Sequence, residues 1–235
     1  MTFKSSIKRS LKRLDEKLGF RAWLSSEPKE QLDEPLFLKG EKDLDYGWVV
    51  ANAGRGPGRA LDVGFVNSPL SAILVALEYS VTGVDLRCDV PYDLPGFTTA
   101  QGDFLQVELQ EKAYDLVVLC STVEHIGLTG RYDNRENQDG DLQAMARVSR
   151  LLKPGRKCIL TIPVGMDGVY SPWHRVYGYI RLPLLLQGFN IEKENFFVKH
   201  SSNKWRKCNR KTALAFKGSA SRYALGQFVL RIKKD

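Results

Sequence analysis

The stretch Arg59-Ala-Leu-Asp-Val-Gly-Phe-Val-Asn-Ser-Pro-Leu-Ser-Ala-Ile-Leu-Val-Ala-Leu-Glu-Tyr-Ser-Val-Thr-Gly-Val-Asp85 constrains the fold of this chain more than any other. Ala60 to Val63 has the apolar character of a buried strand, and Gly64 stands where the backbone must turn. Ser68 is a suitable N-cap. Pro69 is a suitable first helical residue, because proline lacks only an N–H that would have no partner within the helix. Leu70 to Leu77 predicts a helix, and Val81 to Val84 predicts a second short strand ending at Asp85. The result is a βαβ unit. It sets a turn and a helix N-terminus at the carboxyl edge of a parallel sheet, with a carboxylate at the tip of the next strand, a place that suits a nucleoside. An Asp at a strand end is ordinary by itself. Asp85, however, lies 21 residues after Gly64, against about 20 for the acidic ribose ligand of a dinucleotide-binding unit.

The 235 residues suffice for one α/β domain with a full core and are too few for two. No apolar run approaches the roughly 18 residues of a membrane span, so integral membrane association is not expected. The four cysteines, Cys88, Cys120, Cys158 and Cys208, contain no C-x-x-C pair. They read as thiols of a reducing compartment, and a cytoplasmic location is expected. Lys and Arg exceed Asp and Glu by 35 to 27, a net charge of +8, which points to an anionic partner without choosing among phosphorylated substrates, nucleic acids and acidic membranes.

Taken in order, residues 2 to 23 predict a basic amphipathic helix with Ile7, Leu11, Leu14 and Leu18 on one stripe. Such a helix either lays its stripe on the domain or binds a partner, and Asp15 and Glu16 favour the first. Ser25 to Asp45 reads as a polar linker, Tyr46 to Ala53 as a short helix, and Gly54 to Gly58 as a loop. Phe97 to Gln101 is a third strand, followed by Gly102-Asp103-Phe104. Asp115 to Cys120 is a continuous apolar run, as a central parallel strand requires. Ser121-Thr-Val-Glu124-His125 continues from its carboxyl end, so topology delivers Glu124 and His125 to the edge where open α/β sheets bind ligands. Leu142 to Leu152 predicts a helix stopped by Lys153-Pro-Gly155, and Lys157 to Pro163 a fifth strand. His174-Arg175-Val-Tyr177 is expected to start a helix ending near Gly188, and Phe189 to Val198 and Tyr223 to Ile232 are the remaining strands. The basic segment Lys199 to Lys217 reads either as a solvated loop or as an anion-binding lip with Trp205 against a ring.

The motif Asp62-Val-Gly64-Phe-Val66-Asn-Ser68 resembles the first motif of the class I S-adenosylmethionine-dependent methyltransferases. It keeps the acidic residue and the first glycine, while Val66 and Ser68 stand where that family usually has glycines. Glu124-His-Ile-Gly-Leu, Asp139-Gly-Asp141, Leu152-Lys-Pro-Gly155, Ile162-Pro-Val-Gly165 and His174-Arg-Val-Tyr177 extend the likeness, and this set resembles a subfamily associated with sugar and polysaccharide modification. The resemblance implies an α/β fold with a doubly wound, Rossmann-like, mostly parallel sheet, an antiparallel last strand and helices on both faces. Residues 1–58 would be an N-terminal helix and linker, and 59–235 the methyltransferase domain. The implied cofactor is S-adenosyl-L-methionine, held by Asp62, Gly64, Phe65, Asp85, Leu86, Asp103, Phe104 and Ser121, with Asp103 on the adenine amino group and Phe104 against the ring.

The expected reaction is O-methylation of a small-molecule, sugar or glycan hydroxyl, the acceptor being phosphorylated or nucleotide-linked in some readings. An alcohol must lose its proton as it attacks. His125 is the first choice of base and His174 the second, with Glu124 orienting the imidazole. Arg131, Tyr132, Arg175 and Tyr177 are the expected substrate residues, the arginines facing an anionic group. No metal-ligand spacing stands out. Two other classes compete. An RNA or other nucleic-acid methyltransferase accounts for the charge, although no Asn/Asp-Pro-Pro-aromatic motif is present. A non-catalytic scaffold of this fold accounts for the missing glycines.

Overall fold

The computed structural model describes residues 36–37, 40–90, 93–130, 136–201 and 204–233. All its elements belong to one unit, Pro35–Asp235; the expected helix at 2 to 23 lies outside the described residues.

The elements run β1 (Leu36–Phe37), α1 (Glu41–Ala53), β2 (Gly58–Val63), α2 (Leu70–Ala76), β3 (Tyr79–Asp85), β4 (Phe97–Gln101), β5 (Tyr114–Cys120) and a 3-10 turn (Val123–His125). They continue α3 (Gly140–Leu151), β6 (Leu152–Val164), β7 (Gly168–Tyr170), β8 (His174–Val176), α4 (Arg181–Leu185), β9 (Phe189–Ser201), β10 (Lys204–Cys208), α5 (Arg210–Leu214) and β11 (Ala224–Ile232). Nine strands form one sheet in the order β1-β10-β9-β11-β6-β5-β2-β3-β4, and β7 and β8 form a separate hairpin. The pairs β6/β5, β5/β2, β2/β3 and β3/β4 are parallel. β11 inserts antiparallel between β6 and β9, and β10 extends the antiparallel side.

The sheet is covered on both faces at its centre, which is why β5 reads as a nearly unbroken apolar run. One face carries Val49 and Ala53 of α1 and Leu70 and Leu74 of α2 against Ala60, Val81, Leu116, Val118 and Ile159. The other carries Ala144, Met145, Val148 and Leu151 of α3 against Leu61, Val117, Leu119, Leu160 and Phe228. Successive residues of β2 and β5 therefore point to opposite cores. Chain order reverses between β2 and β5, since β3 lies on one side of β2 and β5 on the other. That reversal opens a crevice at the carboxyl edge.

Several expectations change here. Helix α1 starts at Glu41, so the segment read as a linker up to Asp45 contributes its last turn to the packed domain, and the boundary expected at residue 58 does not separate α1 from the sheet. Helix α3 ends at Leu151, just before Lys153-Pro-Gly155 as expected, but that tripeptide is not a separate loop. It belongs to β6 as an irregularity in which Tyr114 pairs with Leu152 and Leu116 next pairs with Lys157, with Gly155 at φ +71°. His174-Arg175-Val176 is a strand of the hairpin rather than a helix start, and the following helix is only Arg181–Leu185. Trp205 faces no ligand: it is fully buried in β10, packed with Phe197 and Leu225.

Candidate functional site

At the crevice a cleft of about 670 Å³ is lined by the residues that follow four adjacent parallel strands. Gly64, Val66, Asn67 and Ser68 come from the end of β2, Asp85, Leu86 and Arg87 from β3, Gly102, Asp103 and Phe104 from β4, and Cys120, Ser121 and Thr122 from β5. His125 and Ile126 of the 3-10 turn and Lys42 and Tyr46 of α1 close it. The volume is that of a nucleoside-sized ligand site.

Gly64 has φ +79° and its N–H donates to the Val84 carbonyl at 2.7 Å. A Cβ there would meet Thr122 Oγ1 at 2.5 Å, and Thr122 is itself fixed by donating to the Val63 carbonyl at 2.9 Å. The floor of the cleft is therefore bare backbone because the turn and its neighbour admit nothing larger. Asp85 is oriented by two backbone donors, the Val66 N–H to Oδ2 and the Arg87 N–H to Oδ1, both at 3.2 Å. Each carboxylate oxygen retains a lone pair for a ligand.

Asp103 Oδ1 accepts from the Leu105 N–H at 2.9 Å, and the Phe104 ring is largely buried beneath the cleft wall. Arg147 of α3 fixes this loop: it donates to the Leu105 carbonyl at 2.7 Å and to the Val107 carbonyl, and its guanidinium lies 5.5 Å from the Phe104 centroid. Nothing in the sequence marks Arg147 for that task.

His125 Nδ1 lies 2.6 Å from the Trp173 carbonyl oxygen. A carbonyl only accepts, so Nδ1 carries the hydrogen, and in the neutral ring Nε2 holds the lone pair. Nε2 is 3.8 Å from Glu124 Oε1. Glu124 is buried, 2% exposed, and its Oε2 finds no hydrogen-bond partner among the described residues. Burial pushes its pKa up to about 8, outweighing the opposing pull of a backbone hydrogen bond and of Lys42. Asp45 is also wholly buried; it accepts from the Ser121 hydroxyl at 2.8 Å and pairs with Lys42 at 3.8 Å. Burial raises its pKa against the pull of Lys42 and Ser121. Lys42, Asp45 and Tyr46 were invisible as site residues, because the partner of Asp45 lies 76 positions away.

The expected residues divide accordingly. Gly64, Asp85, Leu86, Asp103, Phe104, Ser121 and His125 come together on the cleft. Asp62 does not line it: buried between β2 and α2, it accepts from the Ser71 hydroxyl at 2.7 Å, and burial, opposed by that bond, pushes its pKa up to about 6. Phe65 turns into the core, edge-on to Phe97 at 5.4 Å. His174 stands behind His125, centroids 6.5 Å apart, with its ring edge-on to Tyr223. Arg175 and Tyr177 are buried and do not line the cleft. Arg175 donates to the carbonyls of Glu124, Ile126, Asn137 and Gln138 and lies 3.8 Å from Asp141, holding the loop that carries His125. Tyr177 sits in the main core. Arg131 and Tyr132 lie outside the described residues. No cluster of three metal-ligating side chains occurs among the described residues.

Solved structures share this fold. A 1,6-didemethyltoxoflavin-N1-methyltransferase from Burkholderia thailandensis, solved with 1,6-didemethyltoxoflavin and S-adenosylhomocysteine, is 15% identical over 98% of this chain and 89% of that one, with a TM-score of 0.51. A phosphoethanolamine N-methyltransferase from Haemonchus contortus, in complex with phosphomonomethylethanolamine and S-adenosylhomocysteine, is 15% identical at TM-score 0.53. The match covers 82% of this chain and 53% of that one, about half its length. The cyclase SpnF is 14% identical over 86% of this chain and 88% of that one, at TM-score 0.56. Methyltransferases and a cyclase on one scaffold show that the fold does not fix the reaction. No curated protein matches the sequence significantly. Residues 102–226, more than half of the chain, match DUF268, described as Caenorhabditis protein of unknown function, and the chain belongs to that family.

Proposed function

We propose that this protein is an S-adenosylmethionine-dependent methyltransferase acting on a hydroxyl of a small molecule, sugar or glycan. The observation that carries the reading is Asp85, presented at the tip of β3 by the N–H groups of Val66 and Arg87 over the bare backbone of Gly64. The cleft fits the cofactor along the order of the strands. Asp103 and Phe104 after β4 suit an adenine, Asp85 after β3 suits a ribose diol, and Gly64 after β2 allows close approach. Lys42 beside β5 supplies a cation for a carboxylate, in a motif whose usual glycines are replaced by Val66 and Ser68. When bound, the cofactor supplies an electrophilic sulfonium methyl group.

The chain's own part is positioning and proton removal. The acceptor oxygen must be held behind the methyl carbon, which alone accounts for a large share of the rate in such displacements. His125 takes the hydroxyl proton on Nε2, because the Trp173 carbonyl fixes Nδ1 as the protonated nitrogen. Glu124 is a positioning residue: burial keeps it protonated below about pH 8, and its carboxyl, 3.8 Å from Nε2, orients the ring rather than supplying a counter-charge. The two methyltransferases described above were solved with S-adenosylhomocysteine, which supports the choice of cofactor. Titration with S-adenosylhomocysteine, followed by mass-shift assays on a panel of nucleotide sugars and glycans, tests the reading. An absence of both binding and mass shift would refute it.

A further inference from the structure

Among the described residues, eight large apolar side chains are exposed, and six of them fall between 166 and 184: Met166, Val169, Trp173, Tyr179, Ile180 and Leu184. They come from the β7–β8 hairpin, its flanks and helix α4. Ile180 is 74% exposed, Val169 60% and Tyr179 58%. Clustered exposure of this kind marks a contact surface, unlike scattered single residues.

What surrounds the patch selects its partner. The segment 210–222 runs alongside: the Met166 N–H donates to the Phe216 carbonyl at 2.9 Å, the Tyr170 hydroxyl to the Gly218 carbonyl at 3.1 Å and the Tyr179 hydroxyl to the Lys211 carbonyl at 3.3 Å. Lys211, Lys217 and Arg222 of this segment are exposed and form no ion pair among the described residues. Across 166–184 and 210–222 the only carboxylate is Asp167, and it is occupied by the backbone N–H groups of Gly178, Ile180 and Arg181. Aliphatic tips, a Trp and a Tyr beside uncompensated cations match the boundary between lipid headgroups and acyl chains. A protein partner would have to supply apolar and acidic groups in that pattern, whereas an anionic bilayer presents both everywhere.

The patch also adjoins the cleft. Trp173 accepts from His125 through its carbonyl, and a Cβ on Gly130, just beyond the His125 turn, would meet Pro172 of the hairpin at 3.2 Å. We infer that the β7–β8 hairpin, helix α4 and the segment 210–222 form one docking face for an anionic lipid surface, which brings the mouth of the cleft to the interface. The face needs no spanning segment, and no described helix is long and apolar enough to cross a membrane.

Sedimentation of the full chain with phosphatidylcholine vesicles, with and without phosphatidylserine, tests this. Lys211→Gln/Lys217→Gln/Arg222→Gln should weaken binding to the anionic vesicles by on the order of 10²-fold, about five-fold per cation. Val169→Ser/Ile180→Ser should weaken binding to the anionic vesicles too, and neither variant should change the melting temperature, since all five side chains are exposed. Residues 1–34 stay intact in both, so lipid binding that survives both changes would belong elsewhere and overturn the inference. An absence of binding by the unaltered chain, or concentration-dependent self-association that the Val169/Ile180 variant abolishes without any vesicle binding, would overturn it as well. The measurement reads lipid binding alone and stands or falls apart from the methyl-transfer reading.

Discussion

The Nδ1 of His125 and the carbonyl oxygen of Trp173, 48 positions apart in the chain, lie 2.6 Å from one another. One backbone atom of the hairpin thus sets the tautomer of the ring on the cleft and leaves Nε2 as the proton acceptor. The loop bearing His125 is in turn fixed by Arg175 of the same hairpin. The hairpin therefore positions the imidazole from two directions.

If His125 Nε2 is the base, His125→Gln lowers turnover on a competent acceptor by about 10²–10⁴-fold, the usual worth of a general base. Affinity for S-adenosylhomocysteine changes little. His174→Gln is the comparison, and because His174 lies behind His125 and off the cleft wall, its turnover should stay within a few-fold of the parent. Single-turnover rates for both variants decide the assignment, and the reverse ranking would reassign the role.

Glu124 makes a testable contribution to the pH dependence of stability. Its folded-state pKa is about 8 against an ordinary 4.5, so between those values the folded chain holds a proton that the unfolded chain has lost. Stability is then full below pH 4.5, falls as the pH rises through the window, and levels off above about 8. Asp62, raised to about 6, adds a loss of the same sign that is complete earlier. Denaturant titrations across the window should show Glu124→Gln flattening the slope above pH 6; an unchanged slope there would mean that Glu124 is ionised in the fold.

Arg175 separates a structural role from a substrate-binding one. Removing it takes a donor from four carbonyl groups, of which Asn137 keeps the Gly140 N–H and Gln138 keeps Arg181, and takes a buried cation from beside Asp141, which stays paired with Arg181; breaking a buried ion pair from one side costs about 3–5 kcal/mol. Arg175→Ala should lose stability of that order in chemical denaturation. A stable variant with only a raised KM would restore the substrate-binding reading.

Gly64→Ala places a Cβ against Thr122 and forces a left-handed conformation worth roughly 1–2 kcal/mol. It should destabilise the fold by at least that much and abolish ligand binding in the cleft. Thr122→Ser, which removes the methyl group but keeps the hydroxyl bonded to Val63, should be tolerated by comparison.

The parts of this architecture that rest on local chemistry could be read directly. The apolar run ending at Cys120 was identifiable because burial on both faces leaves little choice of residue, and Gly64 and Asp85 follow from turn geometry and spacing. The hairpin was not identifiable, since His174-Arg-Val-Tyr177 is too short for period two to be told from period 3.6. Arg175 looks like a surface cation in sequence, and only the three-dimensional convergence of four carbonyls makes it a buried one. The Asp45–Ser121 bond joins an assumed linker to the tip of β5 across 76 positions. Likewise, Trp205 stands between charges in sequence, yet it is buried because β10 joins the sheet.

The most direct measurement of the central claim is calorimetric titration of S-adenosylhomocysteine into the unaltered chain and into Asp85→Ala. The account predicts saturable binding by the former and a loss of roughly 1.5–3 kcal/mol in the latter, the worth of hydrogen bonds to a charged group, with the melting temperature of each protein measured alongside because Asp85 also accepts from the Val66 and Arg87 N–H groups. Equal affinity of the two proteins, or no binding by either, would contradict it.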